Sequence, residues 1–264
     1  MDDIKVNTLV EYMELISFHE ASLFRGVSDE KNHLLIPKGG RNWNAGLDEL
    51  KKTEKKLIES LKSRAVIYLE TPPRNDWEWL IIGQHFGMPT RLLDWTENSL
   101  VALYFACAEH ELFNGAVYLS DRLPELNPRL VRNPFTITSD YCLYPRHITP
   151  RISAQASVFT VSEDPTKPLK VKHSMLDSKT GKKVVSDLRI IITGPTVKQL
   201  MLEDLRKIGI GPASLFPGLE GICDQISMED YFYRENNNKK FRIDEVGDEM
   251  IRLSDWESKK RGIA

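Results

Sequence analysis

Apolar positions along this chain follow the helical period in some stretches and alternate in others. Leu9, Tyr12, Met13 and Ile16 share one face, which predicts a short helix over 7–18. Residues 21–27 predict a short strand ending near Gly26, and the polar segment after Gly40 a loop. Leu47, Leu50, Leu57, Leu61, Ala65 and Tyr68 recur at helical spacing with Lys and Glu between them. That pattern predicts a long amphipathic surface helix, closed by Thr71-Pro72-Pro73 because proline cannot continue the hydrogen-bond ladder. Asp76 is placed to cap a helix over 77–86, which Gly87 stops. Pro89 disfavours helix at Met88, so 90–95 is extended. Thr96 is placed to cap a helix running to about Glu111, apolar on almost every side and therefore buried.

Asn114-Gly115 predicts a turn before a buried strand over 116–120. Further strands are expected over 146–148, 157–162 and 188–193. Residues 163–187 are rich in Lys, Asp, Ser and Pro, which argues for an exposed hairpin or mobile loop rather than a linker. Pro195 opens a helix that ends at Gly209 and carries Leu200, Leu202, Leu205 and Ile208. The charged final stretch and the 7–18 helix are expected to be peripheral. No internal repeat is visible, which removes solenoids. The pattern predicts one α+β domain over 1–264, with small mixed or antiparallel sheets flanked by helices.

The 264 residues are 41% hydrophobic and 28% charged, the balance of a soluble globular protein. A net charge of −2 supplies no global field for nucleic acid or an anionic membrane. The longest apolar run, near Leu100 to Ala108, is about half of the ~20 residues a membrane span needs. Cys107, Cys142 and Cys223 lie far apart and have no metal spacing, so reduced thiols in a cytoplasmic protein are expected. The N-terminal residues lack a signal-peptide layout.

The chemistry concentrates in two stretches, Phe24-Arg25-Gly26 and the run from Gln84 through His85, Thr90, Arg91, Asp94 and Trp95 to Thr96. Arg25 offers a rigid donor fork for phosphate or carboxylate, and Gly26 would let a ligand approach the backbone. The competing reading is a buried pair with an acid such as Asp94. His85 suits a hydrogen bond to a ligand or acid–base work near neutral pH. As a strand, Thr90, Asp94 and Thr96 share a face suited to a sugar, while Arg91 and Trp95 share the face that could grip a phosphate or stack on a base. An Arg–Asp pair that only locks the strand is the alternative. Gln155 can recognise an amide but cannot act as a base, and Glu220 sits in a turn-like context where capping is its plainer role. Metal binding is not expected: HExxH, CxxC and paired His at ligand spacing are all missing. GxGxxG, Walker A, GxSxG and deaminase patterns are missing too.

These two stretches resemble the FRG domain, a family named for its (Phe/Tyr)-Arg-Gly motif. The likeness continues through Ala102 to Ala106, Gly115 to Tyr118, Arg151 to Gln155 and Leu215 to Gly221, roughly residues 20–230. The family is known largely as a domain of unassigned activity. The order of elements is more distantly similar to the ADP-ribosyltransferases, which implies a split sheet and NAD as substrate. In that likeness Arg25 takes the early NAD-binding position, and Asp94-Trp95-Thr96 opens the buried helix. Gln155 fills the third position, with Glu220 as its substitute; His85, from its residue type and not from this likeness, is a further candidate catalytic group. A Gln at the third position departs from the usual carboxylate.

The resemblance therefore implies a protein that cleaves NAD at the nicotinamide bond and passes ADP-ribose to a macromolecular acceptor or to water. A bacterial or phage toxin or defence effector fits that chemistry. The alternative is a non-catalytic module that binds a nucleotide or nucleic acid through the same Arg, His and Trp. A nuclease reading lacks a convincing carboxylate cluster for Mg²⁺.

Overall fold

The computed structural model describes residues 2–69, 71–110, 112–146, 148–176 and 183–245. The chain runs through β1 (Asp2–Val6), α1 (Leu9–Ser17), β2 (Leu23–Val27), α2 (Leu47–Ala65), α3 (Asp76–His85), β3 (Leu92–Thr96), α4 (Ser99–Cys107) and β4 (Gly115–Ser120). It continues through β5 (Tyr141–Leu143), α5 (Pro150–Ala154), β6 (Ser157–Val161), β7 (His173–Leu176), β8 (Lys183–Ser186), β9 (Leu188–Ile192), α6 (Gly194–Lys207), α7 (Pro212–Leu215) and α8 (Leu219–Glu245). A seven-stranded sheet in the order β1-β9-β4-β2-β3-β6-β5 is the centre of this α+β fold, and β7 and β8 form a separate hairpin. The sheet is mixed because β1 runs parallel to β9 while the other neighbours are antiparallel.

The side-chain alternation of the strands divides the core into three parts. On one face, Phe24, Val117, Leu119, Ile190 and Ile192 pack with Tyr12 of α1, α4, and Met201 and Leu205 of α6. On the same side but beyond β2, Leu92, Phe159 and Val161 pack with Trp77, Leu80 and Ile81 of α3 and Ile58 of α2. The opposite face carries Leu23, Trp95, Tyr118, Val158 and Ile191 under Leu35, Leu169 and Val171 from the connecting segments. The boundary between the two helical packs falls between β2 and β3.

At that boundary the sheet is barely joined. β2 pairs with β4 from Leu23↔Ser120 to Val27↔Ala116, and β3 pairs with β6 from Leu92↔Val161 to Thr96↔Ser157. Between β2 and β3 themselves the register holds only at Phe24↔Thr96. Extending that register would pair Gly26 with Asp94, but the strands diverge instead. In place of the split sheet implied by the resemblance there is one seven-stranded sheet, joined at a single pair between β2 and β3 and open beyond it.

Packing by itself requires a glycine at position 26. A Cβ there would stand 1.8 Å from the Ala102 carbonyl oxygen, because the α4 backbone lies directly on β2. Gly115 on β4 meets the Ala106 carbonyl in the same way, at 2.1 Å. This close approach explains why α4 is buried and apolar all round. Gly26→Ala is expected to push α4 off the sheet and cost about 1–3 kcal/mol, the usual range for overpacking. Urea denaturation of the variant checks this, and an unchanged midpoint would show that the layers can shift freely.

Several local expectations are corrected. Asn75, not Asp76, caps α3 by accepting from the Glu78 N–H, and Asn98, not Thr96, caps α4. Asn75 and Asn98 have the extended backbone a cap needs, whereas Thr96 is still within β3. Arg146 and Ile148 lie outside any strand, and the sheet edge there is β5. In 163–187, Leu169 and Val171 are buried and Leu169 N–H donates to the Leu35 carbonyl at 2.9 Å, so part of that segment is fixed. Of the charged final stretch, 246–264 lie outside the described residues.

Candidate functional site

The opening between β2 and β3 is a cavity of about 260 Å³. Phe24, Arg25 and Gly26 line it from β2, Asp94, Trp95 and Thr96 from β3, and Phe105 from α4. Ile81, Gln84 and His85 reach it from α3, and Arg151, Ile152 and Gln155 from α5 and its end. Thus Arg25, His85, Asp94, Trp95, Thr96 and Gln155, far apart in the chain, meet at one place. Thr90, Arg91 and Glu220 do not line this cavity.

Arg25 bridges the opening. Its Nη1 donates to the Asp94 carbonyl oxygen at 2.5 Å and stands 3.8 Å from Asp94 Oδ2. Its Nε is buried without a hydrogen-bond partner. The Arg25 side chain is 14% exposed, while that of Asp94 is 56% exposed. Burial lowers the Arg25 pKa, the Asp94 charge opposes that, and Arg41 adds to it. Arg25 thus lines the cavity with Asp94 as its neighbour, as the ion-pair reading expected. The ion pair is long, so the guanidinium keeps donor capacity for a ligand.

Asp94 is held by a short relay. The Gln84 amide nitrogen donates to Asp94 Oδ2 at 2.7 Å, and the Thr90 hydroxyl donates to Gln84 Oε1 at 2.6 Å. Thr90 is buried behind Gln84, so it orients the amide and does not touch the cavity. Trp95 is also anchored, its indole N–H donating to Thr160 Oγ1 at 2.9 Å. The Thr96 hydroxyl donates to the Gln155 carbonyl at 2.7 Å and accepts from Asn98 N–H at 3.0 Å, fixing the turn from β3 into α4.

Arg91 has a different place from the one its residue type suggested. Its Nη2 lies 2.8 Å from Glu54 Oε2, its Nε 3.1 Å from the same oxygen, and its Nη1 donates to the Pro134 carbonyl at 2.8 Å. The guanidinium lies over the Phe135 ring at 4.9 Å. With side chains 1% and 2% exposed, Arg91 and Glu54 form a buried lock between α2 and the start of β3. A signal was present in the sequence: Glu54 sits at i+4 between Leu50 and Ile58, a charge inside an apolar stripe.

Gln155 caps α5 and spends its amide N–H on the Leu215 carbonyl at 3.0 Å. Glu220, exposed in the first turn of α8, lines an adjoining depression of about 290 Å³ shared with His85 and Arg151. Arg151 was not singled out as a ligand-binding residue from the sequence. It lies in a helix of only five residues, Pro150–Ala154, too short to leave a periodic pattern. Its guanidinium lies 4.4 Å from the Phe216 ring centre. Burial lowers its pKa, opposed by Asp94 and Glu220. The main cavity thus holds two guanidinium groups against one carboxylate, an excess of positive charge suited to an anion with planar oxygens.

His85 is half-buried at the end of α3, and burial first, then Arg151, lower its pKa. It is a neutral imidazole near pH 7, able to donate from one nitrogen and accept at the other. His19, His33 and His173 are lowered as well, His19 to about 4, chiefly by burial. His173 Nε2 and His19 Nδ1 share one hydrogen bond of 2.9 Å, which double protonation would break. A histidine whose folded pKa is depressed binds its proton more readily in the unfolded chain, so stability is lost as pH falls below about 6.5. The urea midpoint is expected to drop between pH 7 and pH 5. A midpoint that rises or stays level over that interval would contradict the assignment.

Among the described residues no group of three or more His, Cys, Asp or Glu side chains is placed to hold a metal ion. Among them, too, no helix is long and apolar enough to cross a membrane. No curated protein and no solved structure matches the chain. One family model matches, over residues 20–115. That span holds Arg25, His85 and Asp94 and both strands of the opening, while Arg151, Gln155 and Glu220 lie beyond it. The matching model is that of the FRG domain, to which residues 20–115 of this chain are similar.

Proposed function

We propose that the β2–β3 opening binds a nucleotide-type anion, and that its ligand is NAD, cleaved at the nicotinamide bond. The observation that carries this reading is the convergence of Arg25 and Arg151 on the single carboxylate of Asp94 within one cavity. The guanidinium groups supply forked donors to the pyrophosphate. The exposed Asp94 carboxylate, held by Gln84, supplies negative charge beside a sugar.

Cleavage breaks the bond between ribose C1′ and the nicotinamide nitrogen, and the bonding pair leaves with nicotinamide. The sugar becomes cationic at C1′, and a carboxylate stabilises that charge better than an amide does. A nucleophile, either water or an acceptor side chain, then bonds to C1′ and loses its proton. Asp94 takes the electrostatic role for which the resemblance offered Gln155 or Glu220. Neutral His85 is the group suited to receive the nucleophile's proton.

Asp94→Asn tests this. The amide oxygen can still accept from Gln84, so the site geometry is kept while the charge is removed. Nicotinamide release is expected to fall on the order of a hundredfold, with NAD affinity changed only a few-fold. Unchanged release would remove Asp94 from the chemistry. The second reading, a binding module without turnover, is favoured by Gln155, whose amide N–H is taken by Leu215, and by Glu220, which lies outside the cavity. NAD bound by the wild type without nicotinamide release would establish it.

A further inference from the structure

The main cavity continues along β2 rather than ending at Arg25. A second depression of about 200 Å³ follows Val27 and Ser28 and shares Arg25, Gly26 and Phe105 with the first. It is the space left beside β2 where β3 has diverged. His33 and the exposed Arg41 also line it. Arg41 Nε donates to the Ile36 carbonyl at 3.0 Å, which fixes the plane of the guanidinium. Among the described residues nothing engages its two Nη groups. Arg41 is near enough to Arg25 to disfavour its charge, and both disfavour that of His33. Glu109 is the acid in this lining, and the Asp29 carboxylate beneath is occupied by Asn32 and the Lys31 and Asn32 N–H groups. Two arginines therefore face one acid here as well, with a fork of donors held open on Arg41.

Volume adds a second argument. A cavity of about 260 Å³ is below the usual ~300–1,000 Å³ of a site that encloses a whole ligand of drug size. It suits one half of a dinucleotide. The second depression offers space and a cation for the other half.

We infer that the Arg41–His33 depression is a second subsite of the cleft, and that the ligand is a dinucleotide lying along β2, one half in the main cavity and the phosphorylated ribose of the other against Arg41. This rests on the nucleotide reading and deepens it. Phe105 and Gly26 separate the halves, and Arg25 lies beneath the linking phosphates.

Calorimetric titration of the full chain with NAD, AMP and nicotinamide mononucleotide tests the subsite. In Arg41→Ala, NAD affinity is expected to fall about tenfold, while at least one mononucleotide, the one held in the main cavity, keeps its wild-type affinity. Arg41→Lys should recover part of the loss by restoring the charge without the fork. Should Arg41→Ala melt markedly lower than the wild type, Arg41→Gln, which keeps a donor near the Ile36 carbonyl, is read in its place. NAD affinity unchanged in the variant, or an equal loss for NAD and both mononucleotides, overturns the subsite and leaves the main cavity standing. A wild type that binds none of the three overturns the subsite and the nucleotide reading together.

Discussion

Glu54→Ala and Arg91→Ala are each expected to destabilise the protein by about 3–5 kcal/mol, because each leaves its partner charged and buried. The two side chains are 2% and 1% exposed, and water cannot replace the lost partner. A domain of ordinary stability has about 5–15 kcal/mol in total, so either variant removes a large share. Joint replacement as Glu54→Leu with Arg91→Met is expected to recover most of the loss, since both charges are gone and the volume is kept. Guanidinium denaturation of the three variants checks this. Single variants within 1 kcal/mol of wild type, or a double variant no better than the singles, would show that the pair does not lock α2 to β3. The same variants separate structure from binding: Arg91 is outside the cavity, so any folded fraction should bind ligand as the wild type does.

Arg25→Ala is expected to act in the opposite way. Its guanidinium stands 3.8 Å from the nearest Asp94 carboxylate oxygen and, among the described residues, makes its one close bond to a backbone carbonyl at the edge of an opening. Loss of that side chain removes little packing. It does remove the cation shared by both depressions, and truncating a buried, hydrogen-bonded charge costs about 2–5 kcal/mol of binding. Nucleotide affinity should therefore fall on the order of a hundredfold, with the melting temperature within a few degrees of wild type. A variant that unfolds and a folded variant that binds normally are the two contrary results. The first would make Arg25 a structural partner of Asp94, and the second would take it out of the site.

What could be read from the sequence depended on how local the cause was. The α2 stripe, the all-round apolar α4 and the strand around Arg25 were legible because their signals lie within each segment. The caps were missed by one or two positions, since Asn75 and Asp76, or Thr96 and Asn98, are equally good by type and only backbone geometry chooses between them. β1 was not legible: Asp2 to Val6 has few apolar residues and is a strand because it pairs in parallel with β9, more than 180 positions later. The gathering of Arg25, His85 and Asp94 could be anticipated from the density of polar types. The opening that makes them a site could not, since it depends on where β2 and β3 stop pairing. Arg25, Arg91 and Arg151 look alike as residue types. Only their surroundings, Asp94 at long range, Glu54 in a buried fork and the Phe216 ring, divide them into a cleft cation, a lock and a second cleft cation.

The central claim is that the β2–β3 opening is a nucleotide site. A crystal structure of the protein grown with ADP-ribose, which keeps both halves of NAD but lacks the scissile nicotinamide bond, tests it most directly. The account predicts the pyrophosphate within hydrogen-bonding distance of Arg25 and Arg151, one ribose beside Asp94 and the other half extending toward Arg41. ADP-ribose bound at another surface with this opening empty, or no binding at millimolar concentration, would contradict it.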